Sequence, residues 1–445
     1  MKHFLMLLVW AGLVPAASGQ GQLAKVSISG ATVERVEKTL SADAMQGRAL
    51  TTNAAQAAKF LATEFKRIGL KPLPGQTSFG QTFKVYETRT VQVQAVLNKV
   101  PVASENVLLL SGQPQLRWTN SLPNAPRVVR VGPTADFRKE VMPLLETKEN
   151  LLVLLDPAHA ERFRAQALRF KQNGRFNLGP PSSTSVVLVL LPAALPAAVT
   201  YQVEGTTRIK ELEAQNVVGI LPGQDKAKAP EQVVFSAHYD HIGIQPAVAG
   251  DSIANGANDN ASGTAAVVAL AEYYAQQKSN ARTLVFVAFT AEEVGSLGAQ
   301  YFCQQLDTKQ IVAGFNLEML GQRAKFGPGT AFITGFDKSD LGAILQRNLR
   351  GTPFRFEPDP YPELSLFYQS DNAALALTGI PAHTISTAQL PTDKFYHSVD
   401  DEMQTLDLAN LCTIVEAVAR SASSIISGQD TPTRIATDAV AGPTK

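Results

Sequence analysis

Potential metal ligands recur between residues 233 and 320, each at the end of an apolar run where a buried strand would emerge from a sheet. Acids and a histidine in such places are hard to explain by packing. The pattern predicts a site for two hard or borderline metal ions, and zinc is the expected metal. The predicted ligands, taken from this stretch and from the later motif FYHSVDD, are His238, Asp259, Glu293, Glu318 and His397.

Two consecutive acids, Glu292 and Glu293, follow the apolar run TLVFVAFT. Carboxylates that leave a buried strand are unfavourable unless a partner uses them. Successive side chains at a strand end point in different directions, so one acid can bind metal while the other faces a bound water. We assign Glu293 to the metal and Glu292 to proton transfer with the water.

Three further side chains have a predicted part in the site. Asp240 follows His238 by two residues, and a carboxylate there suits the orientation of a ligating imidazole. Asp259 lies in the turn GANDNASG, where it either caps the following helix or gives one oxygen to each of two metals about 3.5–4 Å apart. Tyr396 either donates its hydroxyl to a developing oxyanion or packs beside His397.

Buried strands and helices must hold these side chains in place. The run VVFSA predicts a central strand covered on both faces, and TLVFVAFT, IVAGFNLEML and IPAHTIST predict further buried strands. Near the start of the chain, Leu61, Phe65 and Ile68 repeat at helical spacing, and Gly69 follows them. We therefore expect a helix that ends at Gly69.

The chain changes character between residues 91 and 213. Short β-like runs such as ENLLVLLD and TSVVLVLLP alternate there with turn clusters, and no metal-ligand spacing occurs. This pattern predicts an inserted, mostly β accessory domain. The predicted divisions are a signal peptide at 1–19, the N-terminal part of the catalytic domain at 20–90, the inserted domain at 91–213, the catalytic domain with the metal site at 214–428, and a flexible tail at 429–445.

Length and charge limit the classes of partner. A chain of 445 residues can bury a sizeable core, and its formal net charge of +1 argues against nucleic acid or an anionic membrane as the main partner. The opening MKHFLMLLVWAGLVPAASGQ is typical of a secretory signal cleaved near Gly19, with an uncleaved anchor as the alternative. The mature protein is expected to be soluble and secreted or periplasmic. Cys303 and Cys412 pair if their two helices adjoin; otherwise each is a small buried side chain.

Six ordered motifs resemble the M28 family of exported zinc aminopeptidases: AHYDH, GANDNASG, AEEVGSLG, NLEMLG, SDN before GIPA, and YHSVDD. The stretches LSADAMQGR and FLATEFKRIGLKP resemble the N-terminal part of that family. The resemblance implies a phosphorylase/hydrolase-like α/β fold, in which helices sandwich a mixed twisted sheet and the site lies at the carboxyl ends of strands. Many relatives carry a protease-associated domain where this chain has its insertion, although the sequence matches that module only loosely.

The resemblance also implies a role for each motif residue. It places one zinc on His238, Asp259 and Glu318, and the other on Asp259, Glu293 and His397. Glu292 becomes the general acid and base, Asp240 supports His238, and Tyr396 is a donor to the carbonyl oxygen. One position departs from the family pattern NxDM(I/L)G, because Glu318 stands where relatives carry Asp. The added methylene must shift either the carboxylate or the metal, which leaves the occupancy of that site open.

An aminopeptidase that acts on peptides with a free N-terminus is the function this pattern favours. Three alternatives remain. A glutaminyl cyclase shares the fold and resembles the motifs with a single zinc. A carboxypeptidase would need a basic pocket for a C-terminal carboxylate, and the sequence shows no clear one. A catalytically silent receptor-like or binding protein would show eroded ligands, whereas all five positions hold competent donors.

Overall fold

The computed structural model describes residues 26–122, 125–193 and 198–440, so the predicted signal peptide lies outside the described part of the chain. The described strands are β1 Gly80–Leu97, β2 Val100–Val102, β3 Val107–Ser111, β4 Gln115–Thr119, β5 Arg127–Val131, β6 Leu151–Leu155, β7 Arg175–Leu178, β8 Ser185–Leu190, β9 Tyr201–Leu221, β10 Gln232–His238, β11 Gly243–Val248, β12 Asp251–Ala254, β13 Thr283–Phe289, β14 Ile311–Glu318, β15 Thr330–Ile333, β16 Arg355–Pro358 and β17 Ala382–Ser386. The described α-helices are α1 Gly30–Leu40, α2 Ala54–Ile68, α3 Ala160–Asn173, α4 Ser262–Gln277, α5 Leu297–Gln305, α6 Leu341–Asn348, α7 Asn372–Ala376, α8 Leu408–Ser421 and α9 Ser423–Ile426.

The larger sheet is mixed and follows the order β16-β15-β17-β14-β10-β13-β9-β1-β2. At its centre, β10 pairs in parallel with β13 and β14, and β14 pairs in parallel with β17. Towards the edges, β9 runs antiparallel to β13, and β15 runs antiparallel to β17. Because the four central strands are parallel, their carboxyl ends and the loops that follow meet at one edge of the sheet.

Helices cover both faces of this sheet, which confirms the predicted α/β architecture. On one face, Val233 and Phe235 of β10 pack in a core with α1, α2, α4, α6 and α8. On the other face, Val234 packs in a second core with α5 and α7. Successive side chains of a strand alternate between faces, so burial on both sides requires the continuous apolar run that the sequence shows.

Two helices show how the sequence sets these layers. Helix α2 ends at Gly69, which adopts a positive φ of 88° and closes the helix, as the sequence predicts. Helix α4 is buried along its first ten residues, where alanine, valine and other small side chains dominate. It can therefore lie between the sheet and the outer helices, with contacts to both α1 and α8.

The segment predicted as an accessory domain contains a separate four-stranded sheet in the order β3-β8-β6-β5. This sheet is mixed, since β3 and β8 are antiparallel while β8, β6 and β5 are parallel, and α3 packs on it through the buried Phe163. The predicted divisions near residues 90 and 213 fall inside β1 and β9, which pair from Gly80 opposite Val217 to Leu97 opposite Tyr201, with one shift of register between Thr90 and Gln92. No turn signal marks those positions in the sequence, because the two paired strands continue through them towards the core shared with the four-stranded sheet.

The C-terminal segment differs from the flexible tail that the sequence predicts. Arg282, which is fully buried, donates hydrogen bonds to the Asp430 carbonyl oxygen and to the Thr431 hydroxyl. Ile435 is buried, and its N–H donates to the Gly379 carbonyl oxygen. Residues 429–440 therefore pack against the body of the protein, because a buried guanidinium needs acceptors and an apolar side chain needs cover.

Two further findings concern the described part of the chain. Cys303 and Cys412 do not form a disulfide and remain partly buried thiols. Among the described helices, none combines the length and the apolar character that crossing a bilayer requires.

Candidate metal centre

Three of the predicted ligands form one cluster at the carboxyl edge of the sheet. His238 is the last residue of β10, and Glu318 is the last residue of the neighbouring β14. The His238 Nε2 atom lies 3.1 Å from Glu318 Oε1 and 3.4 Å from Asp259 Oδ1. These three donors lie close enough together to hold one metal ion.

A second cluster shares Asp259 with the first. The His397 Nε2 atom lies 3.2 Å from both Asp259 Oδ2 and Glu293 Oε2. A histidine that the sequence analysis did not select, His241, places Nδ1 at 2.8 Å from Glu293 Oε1. Asp259 thus turns one oxygen towards each cluster, and its side chain does not cap α4. The structure brings all five predicted ligands together, around a carboxylate in a bridging position.

Hydrogen bonds fix the loop that carries Asp259. The Asp401 carboxylate is buried and accepts the backbone N–H groups of Asn258 and Asp259 at 2.8 and 2.9 Å. Asn260 donates its side-chain amide to the Leu317 carbonyl oxygen, at the end of β14. The loop after β12 and the strand end at β14 are therefore held in one rigid unit, which sets the distance between the two clusters.

Arg48 ties an N-terminal turn to the same loops. Its guanidinium is fully buried and donates to the carbonyl oxygens of Tyr239 at 2.6 Å and Gly256 at 2.8 Å. It also donates to the carbonyl oxygens of Leu40 and Asn255. One side chain thus joins the segment after β10, which follows His238, to the loop before Asp259.

Asp240 supports the site in a different way from the predicted one. The His238 Nδ1 atom faces the backbone carbonyl oxygen of Asp240 at 3.1 Å, whereas the Asp240 carboxylate lies 3.8 Å away. That carboxylate accepts the N–H groups of Glu292 and Glu293 at 3.2 and 3.4 Å. Burial raises the pKa of Asp240 to about 6.

Glu292 and Tyr396 both face the space beside the clusters. Glu292 Oε2 lies 3.9 Å from His238 Nε2, and Glu292 Oε1 accepts the Ser296 hydroxyl at 3.3 Å. The Tyr396 ring stacks on His397, with ring centres 3.9 Å apart, and burial raises the pKa of its hydroxyl. Tyr396 therefore packs on a predicted ligand and also keeps a protonated hydroxyl that can donate.

A cavity of about 70 Å³ opens onto both residues and onto the first cluster. A water molecule needs about 10–15 Å³ by the same kind of measure, so several waters or a side chain fit. Apolar and hydroxyl-bearing side chains line the part away from the clusters: Met319, Phe332, Thr334, Leu366, Thr384 and Leu390.

A chain of hydrogen bonds reaches Glu318 from within the sheet. The Ser236 hydroxyl donates to Asn316 Oδ1, and Asn316 Nδ2 donates to the Ser370 hydroxyl at 2.8 Å. The Ser370 hydroxyl in turn donates to Glu318 Oε2 at 2.6 Å. This donor holds one oxygen of the longer side chain, which leaves Oε1 directed at His238. Ser370 thus holds the carboxylate of Glu318, whose side chain is one methylene longer than the Asp of the family pattern.

Replacing Ser370 with Ala should weaken metal binding at the His238 cluster. The loss of a partner that orients a ligand typically lowers metal affinity ~10–100-fold. Titration calorimetry of the metal-stripped protein would measure this change, with the second site unaltered. The control is Ser421→Ala, because the buried Ser421 hydroxyl donates within α8 to the Val418 carbonyl oxygen. Equal affinities in wild type and Ser370→Ala would show that Ser370 does not position Glu318.

The electrostatics of the site suit bound cations. Burial would raise the pKa of Glu293, yet the hydrogen bonds from His241 and His397 outweigh burial and lower it to about 2. Burial would lower the pKa of His397, but Asp259 and Glu293 raise it to about 11. Ionised carboxylates gathered in a buried place are unfavourable unless cations neutralise them. Imidazole nitrogens and carboxylate oxygens are donors that zinc accepts, so these residues fit a pair of zinc ions.

Sequence reasoning missed four residues that shape the site: Arg48, His241, Ser370 and Asp401. A signal existed for His241, since it is a second histidine in the motif AHYDHIG, three residues beyond His238. Arg48, Ser370 and Asp401 stand in the motifs LSADAMQGR, SDN and YHSVDD, but they act through partners far away in the chain, which spacing does not reveal. Another histidine, His383, lies inside β17 and bonds to Thr334 and Ser339 rather than to the clusters.

Comparisons with known sequences agree with this geometry. Residues 216–422 match the family model for peptidase family M28. The aminopeptidase YwaD of Bacillus subtilis is 34% identical over 130 residues, which cover 28% of this chain and 26% of that protein. A probable zinc metalloprotease of Pyrenophora teres f. teres is 38% identical over 109 residues, which cover 24% of this chain and 22% of that protein. The matched part thus spans about a quarter of the length of these relatives.

Solved structures share the fold over most of the chain. The structure of BSAP, a zinc aminopeptidase from Bacillus subtilis, has a TM-score of 0.56 at 16% identity and covers 92% of this chain and 97% of its own. An aminopeptidase from Aneurinibacillus sp. strain AM-1 has a TM-score of 0.55 at 19% identity and covers 89% of this chain and 94% of its own. At such identities the likeness establishes a common fold, a mixed sheet flanked by helices.

Proposed function

Since residues 216–422 belong to peptidase family M28, we propose that this protein is a zinc-dependent aminopeptidase, which removes N-terminal residues from peptides. The observation that carries the proposal is the sharing of Asp259 by two donor clusters, with His238 and Glu318 on one side and Glu293 and His397 on the other. A bridging carboxylate between two sets of nitrogen and oxygen donors is the arrangement of a two-metal hydrolase site.

Two bound zinc ions would supply Lewis-acid chemistry, which polarises a carbonyl group and lowers the pKa of water. Glu292 accepts a proton from the attacking water and later returns it to the leaving amine. Its neighbour Ser296 donates to Glu292 Oε1, so Oε2 remains directed at the reaction space. The Tyr396 hydroxyl stays protonated and donates a hydrogen bond to the carbonyl oxygen as negative charge develops there.

The carboxylates also explain a preference for a free N-terminus. A protonated α-amine carries a positive charge, and Glu292, a carboxylate outside both proposed ligand sets, lines the cavity where that amine would lie. The side chain of the first residue enters the adjoining cavity, which is lined by Phe332 and Leu366. An acetylated N-terminus lacks the charge, so the same site would bind it poorly.

The proposal also includes export of the protein and an accessory domain. Export rests on the first 19 residues, whose basic start and apolar run are typical of a secretory signal. The four-stranded sheet with α3 is the proposed accessory domain. One hydrophobic core packs this sheet against β4 and the far ends of β1 and β9, and a second core packs it against α3. With the signal removed, we propose a secreted or periplasmic enzyme that acts on peptides.

Metal analysis combined with hydrolysis of aminoacyl anilides tests the function. We expect two zinc ions per chain, residue release from the anilides, loss of activity with a chelator, and recovery with added zinc. A peptide that begins with glutamine distinguishes an aminopeptidase from a glutaminyl cyclase, because a cyclase would release ammonia instead of the first residue. Zinc-loaded protein that hydrolyses none of the anilides, or activity that a chelator leaves unchanged, would refute the proposal.

A further inference from the structure

His241 lies against the second cluster without belonging to the ligand set that the sequence predicts. Its ring is completely buried, and its Nδ1 atom lies 2.8 Å from Glu293 Oε1 and 3.8 Å from Asp259 Oδ2. The other ring nitrogen, Nε2, is buried and has no hydrogen-bond partner among the described residues. Either nitrogen of a neutral imidazole can carry the proton, so the two placements must be compared.

The surroundings of the His241 ring distinguish between a proton on Nδ1 and a proton on Nε2. With the proton on Nε2, a buried N–H group would have no acceptor, and the Nδ1 lone pair would face the Glu293 carboxylate. With the proton on Nδ1, the ring donates to Glu293 Oε1, and the group without a partner is a lone pair. Buried donors without partners are rarer than buried acceptors without partners. The proton therefore belongs on Nδ1.

The loop that carries Gly256 packs directly against the His241 ring. Gly256 adopts a positive φ of 60°, and a Cβ atom there would lie 2.5 Å from His241 Cγ. The Gly256 carbonyl oxygen accepts a hydrogen bond from Arg48, which prevents this loop from moving aside. The ring is thus packed between the loop and Glu293, and it cannot rotate freely.

We propose that His241 is a positioning residue, not a metal ligand: its Nδ1–H holds Glu293 Oε1 and thereby presents Glu293 Oε2 alone, beside His397, to the metal. This inference rests on the proposed two-metal site. The two Glu293 oxygens have separate partners in the structure, His241 at 2.8 Å and His397 at 3.2 Å. The backbone of Glu293 is held as well, because its N–H donates to Asp240.

Metal titration of His241 variants tests the proposal. His241→Leu removes the donor, and His241→Asn keeps an amide N–H near the position of Nδ1. In the metal-stripped full-length protein we expect Leu to weaken one of the two zinc sites ~10–100-fold, and Asn to restore most of that affinity. The matched control is His383→Asn, since His383 is equally buried but bonds to Thr334 and Ser339. Both sites of the control should bind zinc like wild type.

Nitrogen-15 NMR spectra of the histidines in the zinc-loaded wild-type protein test the proposal without a variant. We expect His241 to show a protonated Nδ1 without a metal bond. A metal-bound Nδ1, wild-type zinc affinity in His241→Leu, or equal losses in the Leu and Asn variants would each overturn the proposal. Failure of the proposed function is a separate result, because a protein that binds two zinc ions but hydrolyses no anilide would refute the activity and leave these binding data valid.

Discussion

Glu292→Gln is expected to lower kcat/KM for aminoacyl anilides by about two to four orders of magnitude, the usual contribution of a positioned acid or base. Glutamine has nearly the same shape but cannot accept the proton of the attacking water. The substituted side chain can still accept the Ser296 hydrogen bond through its oxygen. The measurement is steady-state kinetics on protein whose zinc content has been determined.

The zinc content of the variant distinguishes a role of Glu292 in proton transfer from a role in metal binding. Glu292 lies 3.9 Å from His238 Nε2 and outside both proposed ligand sets, so the variant should retain two zinc ions per chain. The control is Glu416→Gln, because Glu416 bonds to Arg420 on α8 and should leave the kinetics unchanged. Near-normal turnover in Glu292→Gln would refute the assignment, and so would loss of one zinc ion in parallel with activity.

Arg48→Met is expected to destabilise the protein by about 3–5 kcal/mol, the range seen when one partner of a buried charged network is removed. Methionine fills part of the space but donates no hydrogen bond, so the carbonyl oxygens of Tyr239, Asn255 and Gly256 lose a buried donor. The Glu37 carboxylate is fully buried and lies near the Arg48 guanidinium. The substitution would therefore also remove the positive charge next to Glu37. Denaturant unfolding of wild type and variant measures the difference.

An exposed arginine provides the matched control for Arg48. Arg67 bonds to Glu64 and Glu272 with its side chain 43% exposed, so Arg67→Met should change stability by less than about 1 kcal/mol. Arg48→Lys keeps the charge but has three donors in place of five, and we expect an intermediate loss. Equal unfolding midpoints for wild type and Arg48→Met would contradict the role of Arg48 as the link between the two loops.

The strands and their terminal acids follow from the sequence because both have local causes. A continuous apolar run such as the one before His238 can only lie between two covered faces, and an acid at its end must face the sheet edge. Parallel neighbours then bring Glu318 and the loop with Glu293 to the same edge. The predicted ligands that follow these strands are near one another in the structure for this reason.

The remaining features depend on contacts between distant parts of the chain. Arg48 meets Gly256 across 208 residues, and Ser370 meets Glu318 across 52 residues. Neither separation follows the periodicity of a helix or a strand, so the sequence pattern does not reveal these contacts. The predicted division at residue 213 fell within a strand because β9 continues through it to the core that the larger sheet shares with the four-stranded sheet. The packed segment 429–440 was missed because its buried apolar anchors, Ile435 and Val440, are few and show no helical or strand periodicity.

The antiparallel pair of β1 and β9 has a consequence for how the two sheets can be separated or displaced. Both strands extend from the larger sheet to the core shared with the four-stranded sheet, so the connection is a hydrogen-bonded ribbon and not a single-chain tether. Any relative movement of the two parts must bend or twist this ribbon, and swivelling about one backbone bond is impossible. Excision of residues 89–208 would leave two strand stubs at the margin of the larger sheet, and a shortened enzyme would need a new tight turn that joins Thr88 to Ile209 to keep them paired.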